Sequence, residues 1–405
     1  MTFADRVSRI QSSTTLEMTN RAAELRAAGV EVLSLLAGEP DFPTPEHIIA
    51  AARRAMDEGC TRYTPAAGIP QLREAVTVKL KRDNNVEADP DQIIVSNGSK
   101  HSMYNACLAL FQQGDEVIIF TPYYVSFPEL IRLAHATPVI VDTEPEHRFE
   151  PRFNELEAKI TSRTKGIIMN SPSNPTGGVW DREAVEYIIE VARRHNLWLL
   201  SDESYEALSY DQPFESPAAL VPDYEKILTF QSCSKTYAMT GWRIGYMAGP
   251  EEVVAAMTKI QGQSTTCPNS ISQMAAIAAL TGDQSLVAEY RNAYKRRRGL
   301  MVECLSRIPY LSYRNPGGAF YVFLNVSGLF GKTANSFRQL ADQAGNKPLR
   351  TPRDVTEYIL NQAHVAAVSG EGFGDQEHIR LSFAVSDEDI IAAVDRIGAA
   401  VANLN

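Results

Sequence analysis

The chain has 405 residues, of which 44% are hydrophobic and 22% are charged, and its formal net charge is −10 at pH 7. This length exceeds what one hydrophobic core normally spans, so we expect two domains with a large buried interior. The acidic balance argues against a nucleic-acid-binding surface, and no uncharged apolar stretch approaches the length of a membrane span.

The cysteines and histidines indicate neither a disulfide framework nor a metal site. The five cysteines are far apart and form no CxxC pair, and the seven histidines include no HExxH pair. An odd number of widely spaced cysteines is typical of free thiols in a reducing compartment. The first residues are charged and lack the apolar core of a signal peptide. We therefore expect a cytoplasmic protein without a metal.

Seven short apolar runs alternate with helical patterns through the middle of the chain. They occupy residues 93–95, 117–120, 138–141, 166–169, 197–200, 227–230 and 244–247. Between the fourth and fifth runs, apolar residues from Val185 to Ala192 repeat at helical spacing after a predicted N-cap at Asp181. The alternation predicts an α/β fold with a mostly parallel seven-stranded sheet, covered by helices on both faces.

The pattern changes from about residue 290 onward, where a smaller α+β domain is predicted. Its predicted elements are a long helix over 286–308, a loop over 333–353, strands at 365–368 and 378–383, and a terminal helix. The basic run at 295–298 is expected to form one solvated or interfacial helix face rather than a polyanion site. We assign residues 1–46 to an N-terminal segment packed on the small domain, 47–290 to the large domain and 291–405 to the small domain.

Polar or aromatic groups follow five of the seven predicted strands. In doubly wound sheets, ligands bind beyond the carboxyl ends of the strands. The groups at these ends lie in the segments 97–100, 122–124, 170–177, 202–205 and 232–235. Their convergence predicts a cofactor site at this edge of the sheet.

Lys235 follows the sixth predicted strand and stands between hydroxyl residues and Arg243. It is either a surface lysine or an amine held for covalent chemistry, such as a Schiff base with pyridoxal 5'-phosphate (PLP). Ser232 and Lys235 also match the Ser-x-x-Lys motif of penicillin-binding serine hydrolases. Those enzymes are exported and carry Ser-Asp-Asn and Lys-Thr-Gly motifs, which this chain lacks.

Asp202, Tyr205 and Asn174 have the chemistry that a pyridine cofactor requires. A carboxylate at the ring nitrogen keeps the ring protonated and electron-withdrawing, which suits Asp202 at a strand end. Asp202 is alternatively the N-cap of a following helix. Tyr205 offers a phenol, and Asn174 an amide, to the 3-oxygen of the ring. Prolines on both sides stiffen the Asn174 loop, and either X-Pro bond can be cis.

A phosphate group requires donors and positive charge, which a second set of residues supplies. Gly98 and Ser99 open a helix, so their amides and the helix dipole face an anion. The other candidates around the phosphate are Ser232, Ser234 and Arg243, and Tyr124 is placed to stack on the ring.

Arg380 lies on a predicted strand, opposite the face that Ile379 and Leu381 share. It faces either solvent or a pocket that binds a carboxylate with both guanidinium nitrogens. The glycine-rich segment 370–374 resembles a dinucleotide loop, but no βαβ unit follows it, so we interpret it as a turn.

Over essentially its whole length the chain resembles the class I aminotransferases of PLP fold type I, and it is most similar to the bacterial aspartate aminotransferases of the gamma subgroup. The motifs that carry the resemblance are Ser-Pro-Ser-Asn-Pro-Thr-Gly at 171–177, Ser-x-x-Lys at 232–235 and Met-Thr-Gly-Trp-Arg-Ile-Gly at 239–245. The segments 37–42 and 378–382 extend it toward both ends of the chain.

The resemblance implies that Lys235 is the Schiff-base lysine and proton shuttle, and that Asp202 is the partner of the pyridine nitrogen. It implies that Arg380 binds the α-carboxylate of the substrate. The other implied cofactor contacts are Gly98, Ser99, Lys100, Tyr124, Asn174, Tyr205, Ser232, Ser234 and Arg243. Tyr63 resembles the tyrosine that the neighbouring subunit contributes to the phosphate, which implies a homodimer with shared active sites.

The resemblance also implies a reaction, a ping-pong transamination between aspartate and a 2-oxo acid such as 2-oxoglutarate. Lys100 matches a lysine associated with the distal carboxylate of the substrate, and Thr15 matches a position associated with prephenate. Gly38, Tyr124 and Asn174 complete the implied substrate contacts. Prephenate, arogenate or aromatic substrates remain alternatives, because departures such as Ser204 and the segment 368–370 affect the substrate range.

Overall fold

The structure, a computed structural model, describes residues 3–11, 14–333 and 348–405. The strands are β1 (Leu33–Ser34), β2 (Ile93–Ser96), β3 (Glu116–Phe120), β4 (Thr137–Val141), β5 (Thr164–Asn170), β6 (Trp198–Asp202), β7 (Ile227–Ser232), β8 (Gly245–Ala248), β9 (Ser312–Tyr313), β10 (Tyr321–Asn325), β11 (Val365–Ala366), β12 (Val368–Ser369) and β13 (His378–Ser382).

The α-helices lie between and around these strands. They are α1 (Asp5–Arg9), α2 (Thr14–Ala27), α3 (Glu46–Asp57), α4 (Pro70–Asn84), α5 (Ser99–Leu110), α6 (Phe127–Leu133), α7 (Phe153–Ala158), α8 (Arg182–Arg194), α9 (Pro217–Leu220), α10 (Cys233–Thr236), α11 (Glu251–Ser264), α12 (Ser270–Thr281), α13 (Ser285–Leu305), α14 (Pro352–Ala363) and α15 (Asp387–Ala402). Within the described ranges, no helix is long and apolar enough to cross a membrane.

The seven predicted central strands are confirmed, and they form one sheet in the order β2-β8-β7-β6-β5-β3-β4. Strand β8 runs antiparallel to both of its neighbours, and the remaining pairs are parallel. Every residue of β2, β3, β7 and β8 is buried. Burial on both faces explains why these strands are continuous apolar runs rather than alternating ones.

Alternate residues of the central strands pack against helices on opposite faces of the sheet. Ile119 and Leu200 belong to the core under α5, α6 and α11, whereas Ile118 and Leu199 belong to the core under α8. The helix predicted after Asp181 is confirmed as α8. Asp181 occupies the N-cap position but makes no capping bond, because its carboxylate pairs with the guanidinium of Arg148. The predicted side-chain cap is therefore wrong.

A second, antiparallel sheet of order β12-β13-β10-β9 lies in the C-terminal part of the chain, as predicted for a smaller α+β unit. Strands β1 and β11 pair in parallel, which joins the N-terminal segment to this unit. The long helix predicted over 286–308 is confirmed as α13. The bounds of the three units at residues 46 and 290 stay a prediction.

Several predicted bounds in this region differ from the structure. Most of the loop predicted over 333–353 lies outside the described residues, and α14 begins at Pro352 because Thr351 accepts a capping bond from the Asp354 amide. The strand predicted at 365–368 is divided into β11 and β12. The segment 370–374 forms a short 3-10 turn, which agrees with its interpretation as a turn.

The basic run at 295–298 does not lie on one helix face, so that part of the prediction is wrong. Four consecutive residues extend around a whole helical turn, because each residue of an α-helix advances by about 100°. Arg297 and Arg298 are therefore buried, and their guanidinium groups pair with Asp41 and Asp211. Both pairs tie α13 to other parts of the chain.

Candidate active site

A cavity of about 640 Å³ opens at the carboxyl ends of β5, β6 and β7. Its walls come from both sheets and from the N-terminal segment. The predicted site residues that line it are Gly38, Ser99, Lys100, Tyr124, Asn174, Asp202, Tyr205, Ser232, Ser234, Lys235, Arg243 and Arg380. The fold thus brings together side chains that are up to 342 residues apart in the sequence (380 − 38).

Lys235 stands one helical turn beyond the end of β7, in α10. It is half-buried, and its Nζ donates a hydrogen bond to the carbonyl oxygen of Gly38. Burial lowers the pKa of Lys235 to about 8, an effect that Glu39 opposes and the cationic Arg243 and Arg380 reinforce. The interpretation as a surface lysine is therefore wrong, and the amine is partly in its nucleophilic, neutral form near neutral pH.

Asp202 ends β6, and the residues after it form a turn rather than an α-helix, so the helix-cap alternative is wrong. Its Oδ1 accepts hydrogen bonds from the amide and the hydroxyl of Ser204, at 3.1 and 2.7 Å. Burial raises the pKa of the Asp202 carboxyl, while the Ser204 bonds and the charge of Lys235 lower it. A half-buried carboxylate with a raised pKa is stabilised by a cationic partner inside the cavity.

The Asn174 loop has both of its X-Pro bonds, Ser171–Pro172 and Asn174–Pro175, in the cis form. The backbone amide of Asn174 donates to Asn170 Oδ1 at 2.9 Å. Asn170 Nδ2 in turn donates to the carbonyl oxygen of Asp202 at 3.0 Å. Since Asn174 and Asp202 are linked through one side chain, their positions at neighbouring strand ends are fixed relative to each other.

Arg380 points into the cavity and is only 3% exposed, so the solvent-facing alternative is wrong. Its Nη1 donates to Asn174 Oδ1 at 2.8 Å, and its Nη2 donates to the Leu36 carbonyl oxygen at 2.9 Å. Within the described residues, the buried Nε of this guanidinium has no hydrogen-bond partner. A buried cation with an unsatisfied donor is a binding group for an anion.

A cradle of main-chain amides and hydroxyls lies at the N-terminus of α5. Gly98 has φ +88°, a conformation that favours glycine, and a Cβ atom there would lie 2.3 Å from Arg243 Nη2 and displace that guanidinium. The Ser232 hydroxyl donates to Ser234 Oγ at 2.8 Å and accepts from the Ser234 amide at 3.1 Å. The helix dipole, the hydroxyls and the Arg243 guanidinium make this end of the cavity suited to an anion.

Tyr63 is 87% exposed and does not line this cavity. Thr15 falls in α2, and its side chain lies outside the described residues. Lys100 lines the cavity with its Nζ 5.3 Å from the centre of the Tyr124 ring.

Tyr321, which was not among the predicted site residues, lines the cavity with its hydroxyl 2.7 Å from that of Tyr205. Tyr321 is hard to recognise as a site residue from the sequence, because it lies in an apolar strand segment of the kind that usually belongs to the hydrophobic core.

A buried polar network lies directly behind the strand ends. Lys79 on α4 is 1% exposed, and its Nζ donates to Asn84 Oδ1 at 2.8 Å and to Glu206 Oε1 and Gln231 Oε1 at 2.7 Å. Gln231 Nε2 donates to Glu203 Oε2 at 3.1 Å. Because Gln231 precedes Ser232 and Glu203 follows Asp202, the network supports the backbone that presents both residues to the cavity.

Glu203 is the second carboxyl group of this network. Burial raises the pKa of the Glu203 carboxyl to about 7, although the hydrogen bonds from Ser216, Gln231 and Ser201 act to lower it. The Ser216 hydroxyl donates to Glu203 Oε1 at 2.8 Å. Lys79 and Glu206 form the direct ion pair of the network, and Glu203 joins it through Gln231.

Comparison with known proteins identifies the family. A sequence profile described as "Aminotransferase class I and II" matches residues 30–397. The chain belongs to this family. Among its relatives, the aspartate/prephenate aminotransferase of Cereibacter sphaeroides is 44% identical, over 100% of this chain and 99% of its own length. The aspartate aminotransferase of Geobacillus stearothermophilus is 42% identical over 98% of both chains.

Solved aminotransferase structures share the fold of this chain. The aspartate aminotransferase of Rhizobium meliloti superposes with a TM-score of 0.95 at 40% identity, over the whole of both chains. That of Thermus thermophilus with maleate gives a TM-score of 0.91 at 40% identity, covering 99% of this chain and 100% of its own. The resemblance to fold type I is confirmed, and this chain is a PLP-dependent aminotransferase. The serine hydrolase alternative is wrong.

The residues of the cavity fit the cofactor of the family. An amine with a lowered pKa stands at Lys235, a half-buried carboxylate with a raised pKa at Asp202, and an anion cradle at Gly98. These three groups match the aldehyde, the ring nitrogen and the phosphate of PLP. Within the described residues, no cluster of three or more His, Cys, Asp or Glu side chains is suited to a metal ion.

Proposed function

We propose that this aminotransferase takes the amino group of aspartate and passes it to a 2-oxo acid, preferably 2-oxoglutarate, by a ping-pong mechanism. The observation that carries the proposal is that Arg380, which is buried, and Lys100, which is exposed, both line the cavity in addition to the cations assigned to the cofactor. Two cations suit a substrate with two carboxylates. The names of the relatives, aspartate aminotransferase among them, support the same substrate.

When PLP is bound, it supplies an aldehyde that carries the amino group and a ring that withdraws electrons from the reacting carbon. Lys235 would hold that aldehyde, and the substrate amine would take its place there. The freed Nζ would then take the α-proton of the substrate as a general base and deliver it, as a general acid, to the carbon that carried the aldehyde. Burial lowers the pKa of Lys235, which favours the neutral amine that a general base requires.

The remaining cofactor contacts orient the ring. We assign Asp202 to the pyridine nitrogen, and Asn174 and Tyr205 to the 3-oxygen, as donors that hold the ring in one plane. Tyr124 covers one face of the ring. The phosphate contacts are Gly98, Ser99, Ser232, Ser234 and Arg243. Support comes from the shared cavity and from the anion cradle at the N-terminus of α5.

Arg380 binds the α-carboxylate of the substrate in this proposal. Asn174 and Leu36 hold its two terminal nitrogens, which leaves Nε as the buried donor without a partner in the described part of the chain. Gly38 lies beside the same pocket, since its carbonyl oxygen accepts from Lys235. Substrate that binds here places its α-carbon next to the Lys235 amine.

Lys100 is assigned to the distal carboxylate, which gives a prediction. Changing Lys100 to Met is expected to raise the KM for aspartate about tenfold, because a charge-assisted hydrogen bond is lost from a partly solvated site. The KM for alanine, which lacks a distal carboxylate, is expected to change less than twofold by the same reasoning. Steady-state kinetics with both amino donors tests this. Lys100→Arg retains the charge and should recover most of the affinity, whereas an equal loss for aspartate and alanine would contradict the assignment.

A second substrate class is prephenate or an aromatic amino acid. The specific support is that several relatives bear the name aspartate/prephenate aminotransferase, including one that is 44% identical. Thr15 is the residue we associate with prephenate. The spectral half-reaction of the bound cofactor with aspartate, arogenate and phenylalanine ranks the donors, and a faster half-reaction with arogenate than with aspartate would establish this alternative.

A homodimer with shared active sites is part of the proposal, and it rests on Tyr63. This aromatic side chain is 87% exposed in one chain, and we propose that it reaches the phosphate site of the partner. Loss of a phosphate contact in Tyr63→Ala is expected to weaken cofactor binding about tenfold.

Mixed dimers of Tyr63→Ala and Lys235→Ala chains test the sharing. If Tyr63 acts across the interface, each mixed dimer has one site with both native residues and regains about half of the native activity, one site of two. If Tyr63 acts within its own chain, no site has both residues, and at a cofactor concentration too low to saturate Tyr63→Ala the mixed dimer is no more active than that variant. Subunits that sediment as monomers would also contradict the proposal.

We also propose a cytoplasmic location. Its support is that all five cysteines are free thiols, as is usual in a reducing compartment. Fractionation of the native cells, followed by an assay for this chain, tests the location.

A further inference from the structure

Tyr321 is a second phenol inside the site, and neither the sequence analysis nor the proposed mechanism uses it. It begins β10, is fully buried, and still contributes to the cavity wall. Its hydroxyl oxygen lies 2.7 Å from the hydroxyl oxygen of Tyr205. Two buried phenol hydroxyls form a hydrogen bond when one of them donates its proton and the oxygen of the other accepts it.

The ring of Tyr321 makes a different contact from its hydroxyl. The guanidinium carbon of Arg380 lies 4.4 Å from the centre of this ring, within the range of a cation–π interaction. The ring also meets the Tyr205 ring edge-on, with centres 5.8 Å apart and planes at 75°. Tyr321 therefore touches two proposed site residues, one through its hydroxyl and the other through its ring.

The direction of the hydrogen bond follows from the chemistry of the site. Burial raises the pKa of both phenols, so each holds one proton near neutral pH. If Tyr205 donates its proton to the 3-oxygen of the cofactor, its own oxygen is left as an acceptor. The proton of Tyr321 then points at Tyr205, and a donor that itself accepts a hydrogen bond donates more strongly.

We propose that Tyr321 is a positioning residue with two separable actions: its hydroxyl orients and strengthens the Tyr205 donor, and its ring holds the Arg380 guanidinium. The first action rests on the proposed role of Tyr205, and the second rests on that of Arg380. Phe320 also meets the Tyr205 ring edge-on, with ring centres 5.4 Å apart, and its own ring centre lies 4.8 Å from that of Tyr321, so the three rings form one aromatic cluster.

The hydroxyl is tested by the pH midpoint at which the visible absorption band of the holoenzyme changes. Donation to the 3-oxygen stabilises its anionic form, so a lost or weakened donor raises the midpoint. Tyr205→Phe is expected to raise it, and Tyr321→Phe to raise it by roughly a third of a pH unit. The charged or titratable groups that face these residues and Lys235 are unchanged in both variants: Glu39, Tyr124, Asp202, Arg243 and Arg380.

The double variant Tyr205→Phe/Tyr321→Phe is the decisive control for the hydroxyl. If Tyr321 acts through Tyr205, the double variant has the same midpoint as Tyr205→Phe alone. A Tyr321→Phe shift that persists in full without the Tyr205 hydroxyl would overturn the inference. An unmoved midpoint in Tyr321→Phe, with a shifted one in Tyr205→Phe, would overturn this inference alone. An unmoved midpoint in Tyr205→Phe would overturn the proposed role of Tyr205 as well.

The ring is tested by comparing Tyr321→Phe with Tyr321→Leu. Phenylalanine keeps the aromatic face under Arg380, whereas leucine removes it. The KM for aspartate is therefore expected to be about fivefold higher in Tyr321→Leu than in Tyr321→Phe. Circular dichroism of both variants checks that they are folded. Equal KM values for Tyr321→Phe and Tyr321→Leu would overturn the action of the ring. If Tyr321 had only a structural role, its variants would not change the KM for aspartate and the spectral midpoint independently of each other.

Discussion

Replacing Lys235 by alanine is expected to lower the transamination rate on the order of 10⁴-fold, because the same Nζ serves as the covalent anchor and as the general base. The fold should survive, since the half-buried side chain makes its described hydrogen bond only to the Gly38 carbonyl oxygen. Cofactor is expected to remain bound through the Asp202 and phosphate contacts, but without covalent attachment. Single-turnover half-reactions with aspartate measure the loss directly.

Two further variants make the Lys235 result interpretable. Lys235→Arg retains a cation but no nucleophilic amine, so we expect it to be as inactive as Lys235→Ala. Lys81→Met removes an exposed lysine elsewhere and should leave the rate unchanged. If Lys235→Ala keeps more than a few per cent of the native half-reaction rate, the assignment of the general base is wrong.

Replacing Lys79 by methionine is expected to lower the free energy of unfolding by about 3–5 kcal/mol, because it leaves a buried carboxylate without its cation. Glu206, the direct partner, has only 9% of its side chain exposed. The amide groups of Asn84 and Gln231 also lose a charged donor. Urea titration of the native chain and the variant, followed by circular dichroism, measures the difference.

The same helix offers a matched control for Lys79. Lys81 also lies in α4, but its side chain is 56% exposed and pairs with the exposed Glu87. Lys81→Met is expected to cost less than about 1 kcal/mol, as exposed ion pairs do. The double variant Lys79→Met/Glu206→Gln removes both charges and should be more stable than Lys79→Met alone. Equal costs for Lys79→Met and Lys81→Met would refute the account of the network.

The central sheet and the strand-end residues were predictable from the sequence for a definite physical reason. Strands buried on both faces are mostly apolar, so residues 117–120 of β3 and 227–230 of β7 stand out as nearly continuous apolar runs. Parallel strands bring their carboxyl ends to one edge, so Asp202 and Lys235 were expected together before any distance was known. The structure places both in one cavity, although their roles in the reaction stay a prediction.

Other features depend on contacts that a single sequence does not contain. Tyr321 enters the site because β10 pairs with β13 in a register that sets Phe323 opposite Arg380, and antiparallel register is decided by the whole fold. Lys79 is a charged residue in a helix, a position that is normally solvated. Its burial depends on carboxylates and amides that are 5 to 152 residues away along the chain. Asp181 failed as a cap because Arg148 competes for its carboxylate.

The central claim is that one lysine forms a reversible covalent bond with the cofactor. Borohydride reduces an imine between a lysine and an aldehyde to a stable amine, which leaves a permanent label on the residue that was attached. Reduction of the holoenzyme, digestion and mass spectrometric mapping of the peptides measures where the label is. The account predicts a pyridoxyl label on Lys235, and a label on another lysine, or an unlabelled chain, would contradict it.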